Sequence, residues 1–154
     1  MDSTLKAFTY RSNGILNRLE TDVYVYSDYN THHPENSNKW KSLWDTGASN
    51  TCISHRVVDE LNLIPIGKNQ TRTANDFVDT DIYVIDIILP NHVTINNVSV
   101  FALDLYECDL LIGMDIIQLG DLSITNHMGH TQFSFRIPSM KHIDFVAEER
   151  ALRL

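Results

Sequence analysis

Apolar and polar residues alternate along much of this chain, and turn-forming residues break the alternation at short intervals, which predicts many short strands and little helix. Leu19 to Tyr26 is rich in Val and Tyr and reads as a strand. Asp28 to Lys39 then loses apolar residues almost entirely and holds Pro34, Asn36, Ser37 and Asn38, so it predicts an exposed loop. Trp40 to Trp44 returns to a strand that ends at Asp45. Ser54 suits the N-cap of a short helix to Leu61, with Val57, Val58 and Leu61 on one side and Pro65 beyond its end.

In the second half the pattern predicts strands at Ile82 to Leu89, Val93 to Ile95 and Val98 to Leu103, joined as a meander by corners at Pro90-Asn91-His92 and Asn96-Asn97. Leu110-Leu111-Ile112 is a continuous apolar run, the mark of a strand buried on both faces. Asp115 can cap a single helical turn, Ile116 to Leu119, which Gly120 would end. Leu122 to Thr125 and Gln132 to Ile137 flank a turn at His127-Met128-Gly129 and predict a final hairpin. From Lys141 the pattern turns helical, with Ile143, Val146, Ala147 and Leu152 on one face. The fold class expected is all-β, with short helices and a C-terminal helix.

Length and charge then narrow the functions. A chain of 154 residues holds one domain with a proper core and is too short for two. Twenty Asp and Glu against twelve Lys and Arg leave a net charge of -8, which argues against nucleic acid as a partner because phosphate binding needs clustered cations. No apolar run approaches a membrane span, and Met1-Asp2-Ser3-Thr4 lacks both the basic start and the apolar stretch of a signal peptide. No membrane partner is therefore expected, and the expected location is the cytoplasm. The two cysteines, Cys52 and Cys108, are not spaced as a redox or metal pair, and Cys52 reads as a buried reduced thiol.

The stretch that carries chemistry is Leu43-Trp44-Asp45-Thr46-Gly47-Ala48-Ser49. A strand delivers the carboxylate to a sharp corner, Gly47 lets the backbone turn, and Thr46 offers a hydroxyl to lock the loop. Two such loops facing one another would place two carboxylates within hydrogen-bonding distance. Like charges at that range cannot both ionise easily, so the pair shares one proton and titrates as a unit. The ionised member can activate a water and the protonated member can steady a peptide carbonyl oxygen. The sequence supplies one such Asp, so the site requires two copies of the chain. Average residue usage places the bare tripeptide by chance in about 3% of chains this long, so the turn alone is not decisive.

A second element gives it a context: Leu110-Leu111-Ile112-Gly113-Met114-Asp115 is an apolar run closed by Gly ahead of a short helix. With Asp45-Thr46-Gly47-Ala48-Ser49 and the intervening helix and meander, it makes the chain resemble the retropepsin-like aspartic proteases over about residues 19 to 137. The resemblance implies a single closed, barrel-like acid-protease domain, with residues 138 to 154 as a tail or helix. It also implies a homodimer that hydrolyses peptide bonds in a peptide or protein substrate without a cofactor. Asp45, Thr46 and Gly47 would then be catalytic. Ala48, Ser49, Ile112 and Gly113 would meet substrate, together with Ala74, Asn75 and Asp76 at the tip of a mobile hairpin, or flap, near Thr71 to Thr80.

Three departures from that family's pattern bear on the chemistry. Ser49 and Met114 stand where retroviral members carry an acid and a base that pair; both partners are missing together, so no orphan charge is buried. Ala48 replaces a hydroxyl that in pepsin-like relatives favours the ionised carboxylate, which implies a pH optimum nearer weakly acidic or neutral. The flap has no Gly at its tip, and Asn75-Asp76 would have to make the turn.

Other features carry less. His32-His33 with Glu35 are adjacent residues in a polar loop without metal-ligand spacing, so no metal is expected. Trp40 and Trp44 read as core, and Glu107, Asp109 and Asp115 as turn and cap residues. The alternative function is a catalytically silent dimeric module on the same fold that binds peptides or organises an assembly. The intact Asp45-Thr46-Gly47 speaks against it, because a binding module has no need of a proton-sharing pair.

Overall fold

The computed structural model describes residues 6–27, 38–73 and 75–153. Ten strands and three short helices follow one another along it. They are β1 (Ala7–Arg11), β2 (Glu20–Tyr26), β3 (Trp40–Trp44), β4 (Cys52–Ser54), α1 (His55–Glu60), β5 (Gly67–Arg72), β6 (Phe77–Leu89), β7 (Val93–Leu103), β8 (Leu110–Ile112), α2 (Met114–Ile117), β9 (Asp121–Thr125), β10 (Gln132–Arg136) and α3 (Phe145–Leu152). Residues 28–37, most of the exposed loop expected from composition, lie outside the described residues, as do His32, His33 and Glu35.

The larger sheet runs β2-β3-β8-β4-β7-β6-β5, and β2 also pairs with β6, so six strands close into a barrel with β5 hairpinned onto its outside. Two of its pairings are parallel, β3 with β8 and β4 with β7. Val23, Val25, Trp40, Ile53, Ile85, Ile87, Leu110 and Ile112 fill the interior. In β2 the alternation sends Val23 and Val25 inward while Asp22 stays in water, as the period of two requires. The smaller sheet, β1-β10-β9, lays Phe8, Phe133 and Phe135 against Trp44. Each such fully buried aromatic contributes about 1.5–3 kcal/mol by area removed from water.

A polar core network accompanies these rings. The Trp44 indole N–H donates to Thr21 Oγ1 at 3.0 Å, the Thr21 and Ser42 hydroxyls lie 2.8 Å apart, and Ser42 Oγ donates to the Thr21 carbonyl at 2.8 Å. Buried hydroxyls are tolerated because each finds a partner.

Three expectations are corrected. The corner at Asn96-Asn97 does not reverse the chain: β7 runs straight through it, and a bulge between Ile85 and Ile87 of β6 absorbs the irregularity while Asn97 takes a φ of 57°. Asp115 is not the cap of α2: the helix runs Met114–Ile117 rather than Ile116 to Leu119, starting two residues earlier from a Gly113 cap, and Asp115 lies in its first turn. Leu111 is not buried on both faces, because it lies half-buried beside a cleft while Leu110 and Ile112 point inward. The C-terminal helix forms, capped by the Asp144 side chain, but it buries no residue. No helix among the described residues is long and apolar enough to cross a membrane.

Candidate active site

Asp45 lies where β3 ends, and its backbone N–H donates to the Ile112 carbonyl at 2.9 Å, so the last rung of the β3–β8 pairing sets its position. The chain then turns sharply. Gly47 N–H donates to Asp45 Oδ1 at 2.8 Å and Ala48 N–H to the Asp45 carbonyl at 3.2 Å. A Cβ on Gly47 would sit 3.1 Å from that same Oδ1, closer than carbon ordinarily packs. One carboxylate oxygen thus holds its own loop, and the other has no hydrogen-bond partner among the described residues. Asp45 is half-buried, whereas Thr46 is exposed with its hydroxyl unpartnered among the described residues.

Behind this loop stands α2. Met114 N–H donates to the Ala48 carbonyl at 2.8 Å and Asp115 N–H to the Ser49 carbonyl at 3.2 Å. Asp115 accepts from Thr51 N–H at 3.0 Å and from the Thr51 hydroxyl at 2.7 Å, and Thr51 Oγ1 accepts from Gly113 N–H at 3.2 Å. Gly113 is required by contact: a Cβ there would meet the Asn50 carbonyl carbon at 2.6 Å and its oxygen at 2.7 Å. Ser49 and Met114 carry no charges to pair, and backbone bonds and the Asp115 carboxylate do the fastening.

A cleft of about 710 Å³ opens over Asp45. Asp45, Gly47, Ala48 and Ser49 lie along one side of it, Leu103, Leu105 and Leu111 along another, and the β5–β6 hairpin contributes Thr71, Thr73 and Val78. A second cleft of about 550 Å³, on the face near β1 and β2, shares no residue with it; two of its charged residues, Glu20 and Lys41, neutralise each other at 3.3 Å.

The hairpin occupies the segment expected for the flap and is closed without glycine. Thr73 N–H donates to the Asp76 carbonyl at 2.8 Å, Thr73 Oγ1 donates to the same oxygen at 3.0 Å and accepts from Asp76 N–H at 3.2 Å, and Asp76 Oδ1 accepts from Phe77 N–H at 2.7 Å. Side-chain oxygens on both sides of the turn do what a flexible residue would otherwise permit.

Of the residues singled out from sequence, Asp45, Gly47, Ala48 and Ser49 come together in the cleft. Asn75 and Asp76 are exposed at the hairpin tip, and Ala74 lies outside the described residues. Ile112 and Gly113 are buried behind the loop and do not line the cleft; the Ile112 carbonyl accepts from Asp45 N–H, and Leu111 is the residue of this run that lines the cleft. Sequence reasoning also missed Thr51, whose signal, a Thr six residues after the Asp, has meaning only once α2 is folded against it.

Cys52 is buried at the cleft wall, and burial, reinforced by the nearby Asp115 carboxylate, pushes its thiol up to about 11. Such a thiol is protonated at neutral pH and unsuited to attack. Among the described residues no group of three or more His, Cys, Asp or Glu is arranged to hold a metal ion.

A family model described as "gag-polyprotein putative aspartyl protease" matches residues 35–119, more than half of the chain, spanning both Asp45 and Gly113. No curated protein sequence matches the chain. Among solved structures, a retropepsin-like aspartic protease from Rickettsia conorii is similar over 89% of this chain and 98% of its own, with a TM-score of 0.54 and 13% identity. The Simian Foamy Virus (mac) protease is similar over 63% of this chain and 89% of its own, with a TM-score of 0.44 and 18% identity. For the EIAV protease the corresponding figures are 70%, 91%, 0.49 and 19%. The likeness to the Rickettsia structure is one of fold.

Proposed function

Since the chain belongs to the gag-polyprotein aspartyl protease family, we propose that it is an aspartic endopeptidase whose active site is completed by a second copy of itself. One observation carries this reading. The sequence contains a single Asp-Thr-Gly, and its Asp lines a cleft with one carboxylate oxygen tied to its own loop and the other unpartnered among the described residues. A lone carboxylate cannot both take a proton from water and give one to the carbonyl. Two Asp45 side chains sharing one proton can.

The ionised Asp45 takes a proton from water as its oxygen bonds to the peptide carbonyl carbon, and the protonated Asp45 hydrogen-bonds the carbonyl oxygen as it gains charge. Breakdown then cleaves the C–N bond, with a proton passing to the departing nitrogen. Substrate lies extended between the Asp45 loop and the β5–β6 hairpin, and Ala48, Ser49, Asn75 and Asp76 are the residues proposed to meet it. The exposed Thr46 hydroxyls brace the two loops against one another.

The test is incubation of the purified protein with a mixed peptide library from acidic to neutral pH, beside an Asp45→Asn variant. Cleavage that the variant lacks supports the reading. A folded dimer that cleaves nothing at any pH is instead the peptide-binding or scaffold module.

A further inference from the structure

The second cleft, about 550 Å³ on the face near β1 and β2, lies over a break in the strand pairing of the barrel. β2 pairs with β3 through Glu20 to Val23, but with β6 only from Tyr24 to Tyr26. β6 leaves it there: Pro90 has no N–H to continue a ladder, and Asn91 and His92 turn the chain into β7 with a φ of 57° each. Asn91 Nδ2 donates to the Ala7 carbonyl at 2.8 Å and fastens that corner to β1.

The break leaves backbone groups open. Trp44 N–H donates to the Leu19 carbonyl at 2.9 Å, so Leu19, Thr21 and Val23 turn their N–H and C=O groups to β3, and Glu20 and Asp22 turn theirs the other way. On that side Tyr24 meets Ile88, but no strand among the described residues meets Glu20 or Asp22. Both residues line the cleft. Their N–H donors and C=O acceptors form a short open edge of the kind to which an extended chain adds as a strand.

Side chains around the gap define what that strand must carry. Its residues would alternate in direction, one opposite Asp22 pointing to the outer face of the barrel and the next to the face of Thr21. On the Thr21 face the cleft is lined by Tyr10, whose ring is 43% exposed and stacks at 5.4 Å on Phe133. Of the carboxylates lining the cleft, Glu20 has Lys41 at 3.3 Å and Arg18 at 3.1 Å, whereas Asp22 has no cation partner among the described residues. A basic residue opposite Asp22 with an aromatic or apolar residue beside it fits both faces.

The gap and the cleft over Asp45 share one outer face. Glu20 stands opposite Leu43, and Leu43 stands opposite Leu111, which lines the cleft over Asp45. Two strand spacings, roughly 10 Å, separate Glu20 from Leu111. One extended polypeptide can therefore reach both places. We propose that the β2 gap is a second peptide-binding site, where a protein substrate, at a segment remote from the bond that is cut, adds as a strand to Glu20 and Asp22. That segment carries a basic residue opposite Asp22 and an aromatic or apolar residue next to it. The occupant rests on the endopeptidase reading; the binding chemistry of the gap does not.

The test separates binding from cleavage. Asp45→Asn protein is titrated with a fluorescein-labelled pentapeptide, Thr-Val-Arg-Tyr-Thr with blocked ends, and with the same peptide N-methylated at Arg. Saturable binding is expected, with nuclear magnetic resonance shifts at Glu20 to Tyr24 and at Tyr10. Asp22→Lys, or the N-methyl group, should weaken it about fivefold or more. With Asp45 intact, Asp22→Lys should lower kcat/KM for casein about threefold or more and leave that for a short peptide substrate unchanged.

No binding at millimolar pentapeptide, or shifts confined to the Asp45 loop, overturns the second site and leaves the endopeptidase reading intact. So does a folded Asp22→Lys protein whose kcat/KM for casein is unchanged, or falls equally for casein and the short peptide. A protein that cuts neither substrate, yet binds the pentapeptide at Glu20 to Tyr24, overturns the endopeptidase reading and with it the proposed occupant.

Discussion

Asp115 holds Thr51 twice, through the backbone N–H at 3.0 Å and through the hydroxyl at 2.7 Å, and so joins two points 64 residues apart, one just after the Asp45 loop and the other just after Gly113. The Thr51 oxygen in turn accepts from Gly113 N–H, so one carboxylate fixes both the exit of the Asp45 loop and the entry to α2. The backbone bonds from Met114 and Asp115 to Ala48 and Ser49 keep the intervening loop in register.

Removing that carboxylate is expected to cost stability and alignment together. Asp115→Ala should lower the unfolding free energy by about 3 kcal/mol, as two bonds to a charged acceptor are lost and Thr51 is left buried without its partner. Because the loop that slackens carries Asp45, kcat should fall by about tenfold or more while KM moves less. Asp115→Asn, which keeps one acceptor oxygen, should lie between. Denaturant titration and steady-state kinetics on the same samples check both.

Gly113→Ala is a sharper probe of the same packing. Its Cβ would press on the Asn50 carbonyl at 2.6–2.7 Å and approach the Ala48 carbonyl at 3.0 Å, and backbone cannot swing aside as a side-chain tip can. A loss of about 2 kcal/mol or more is expected, with activity lost at temperatures where the fold persists. Thermal unfolding followed beside activity reads this directly.

Much of the fold was legible because it follows from local pattern. β2, β3, α1 with its Ser54 cap and the β9–β10 hairpin lie within a residue or two of where alternation and capping place them. β1 and β4 were not anticipated, since Ala7–Arg11 is short and mostly exposed and Cys52–Ser54 is three residues long; each is held by distant partners, β10 and β7 with β8. The Asn96-Asn97 corner misled for a related reason: Asn97 N–H bonds to the Asp86 carboxylate at 2.7 Å across the bulge, a long-range contact that lets a turn-like pair remain within a strand. At the site, Asp45 and Gly47 announce themselves in sequence. The burial of Ile112 and Gly113, and the Thr51–Asp115 clamp, exist only when β8 lies beside β3.

The flap tip offers a separable prediction. Thr73→Val keeps the shape of the side chain and removes the oxygen that bonds Asp76 on both its N–H and its carbonyl. Amide exchange at Asp76 should quicken about fivefold and kcat/KM should fall a few-fold with no change in Tm, because the tip is exposed and contributes little to global stability. Unchanged kcat/KM beside faster exchange would show that the hairpin does not gate the cleft.

Cys52 reports on charge at the cleft wall. Burial first and Asp115 second raise its thiol from 9.0 to about 11. In a Cys108→Ser background its alkylation should therefore climb only as pH approaches about 11, and Asp115→Asn should speed it at every lower pH. For stability the sign follows from proton binding: between pH 9 and about 11 the folded chain keeps a proton that the unfolded chain loses, so this contribution is intact below pH 9 and declines above it. Alkylation rates followed by mass spectrometry, with denaturant midpoints at pH 8 and pH 10, check the two statements.

Ala48 leaves the Asp45 carboxylate without a hydroxyl donor from that position. The pH–rate profile of peptide cleavage should accordingly peak in the weakly acidic to neutral range, and a peak below about pH 3 would contradict the role given to Ala48.

The central claim, that one dyad is built from two chains, is tested most directly by mixing. Wild-type protein equilibrated with an equal amount of Asp45→Asn should retain about one quarter of the activity of the same total amount of wild type, because only dimers with two Asp45 residues carry the shared proton. Retention of about one half would mean that each chain acts alone, and would contradict the account.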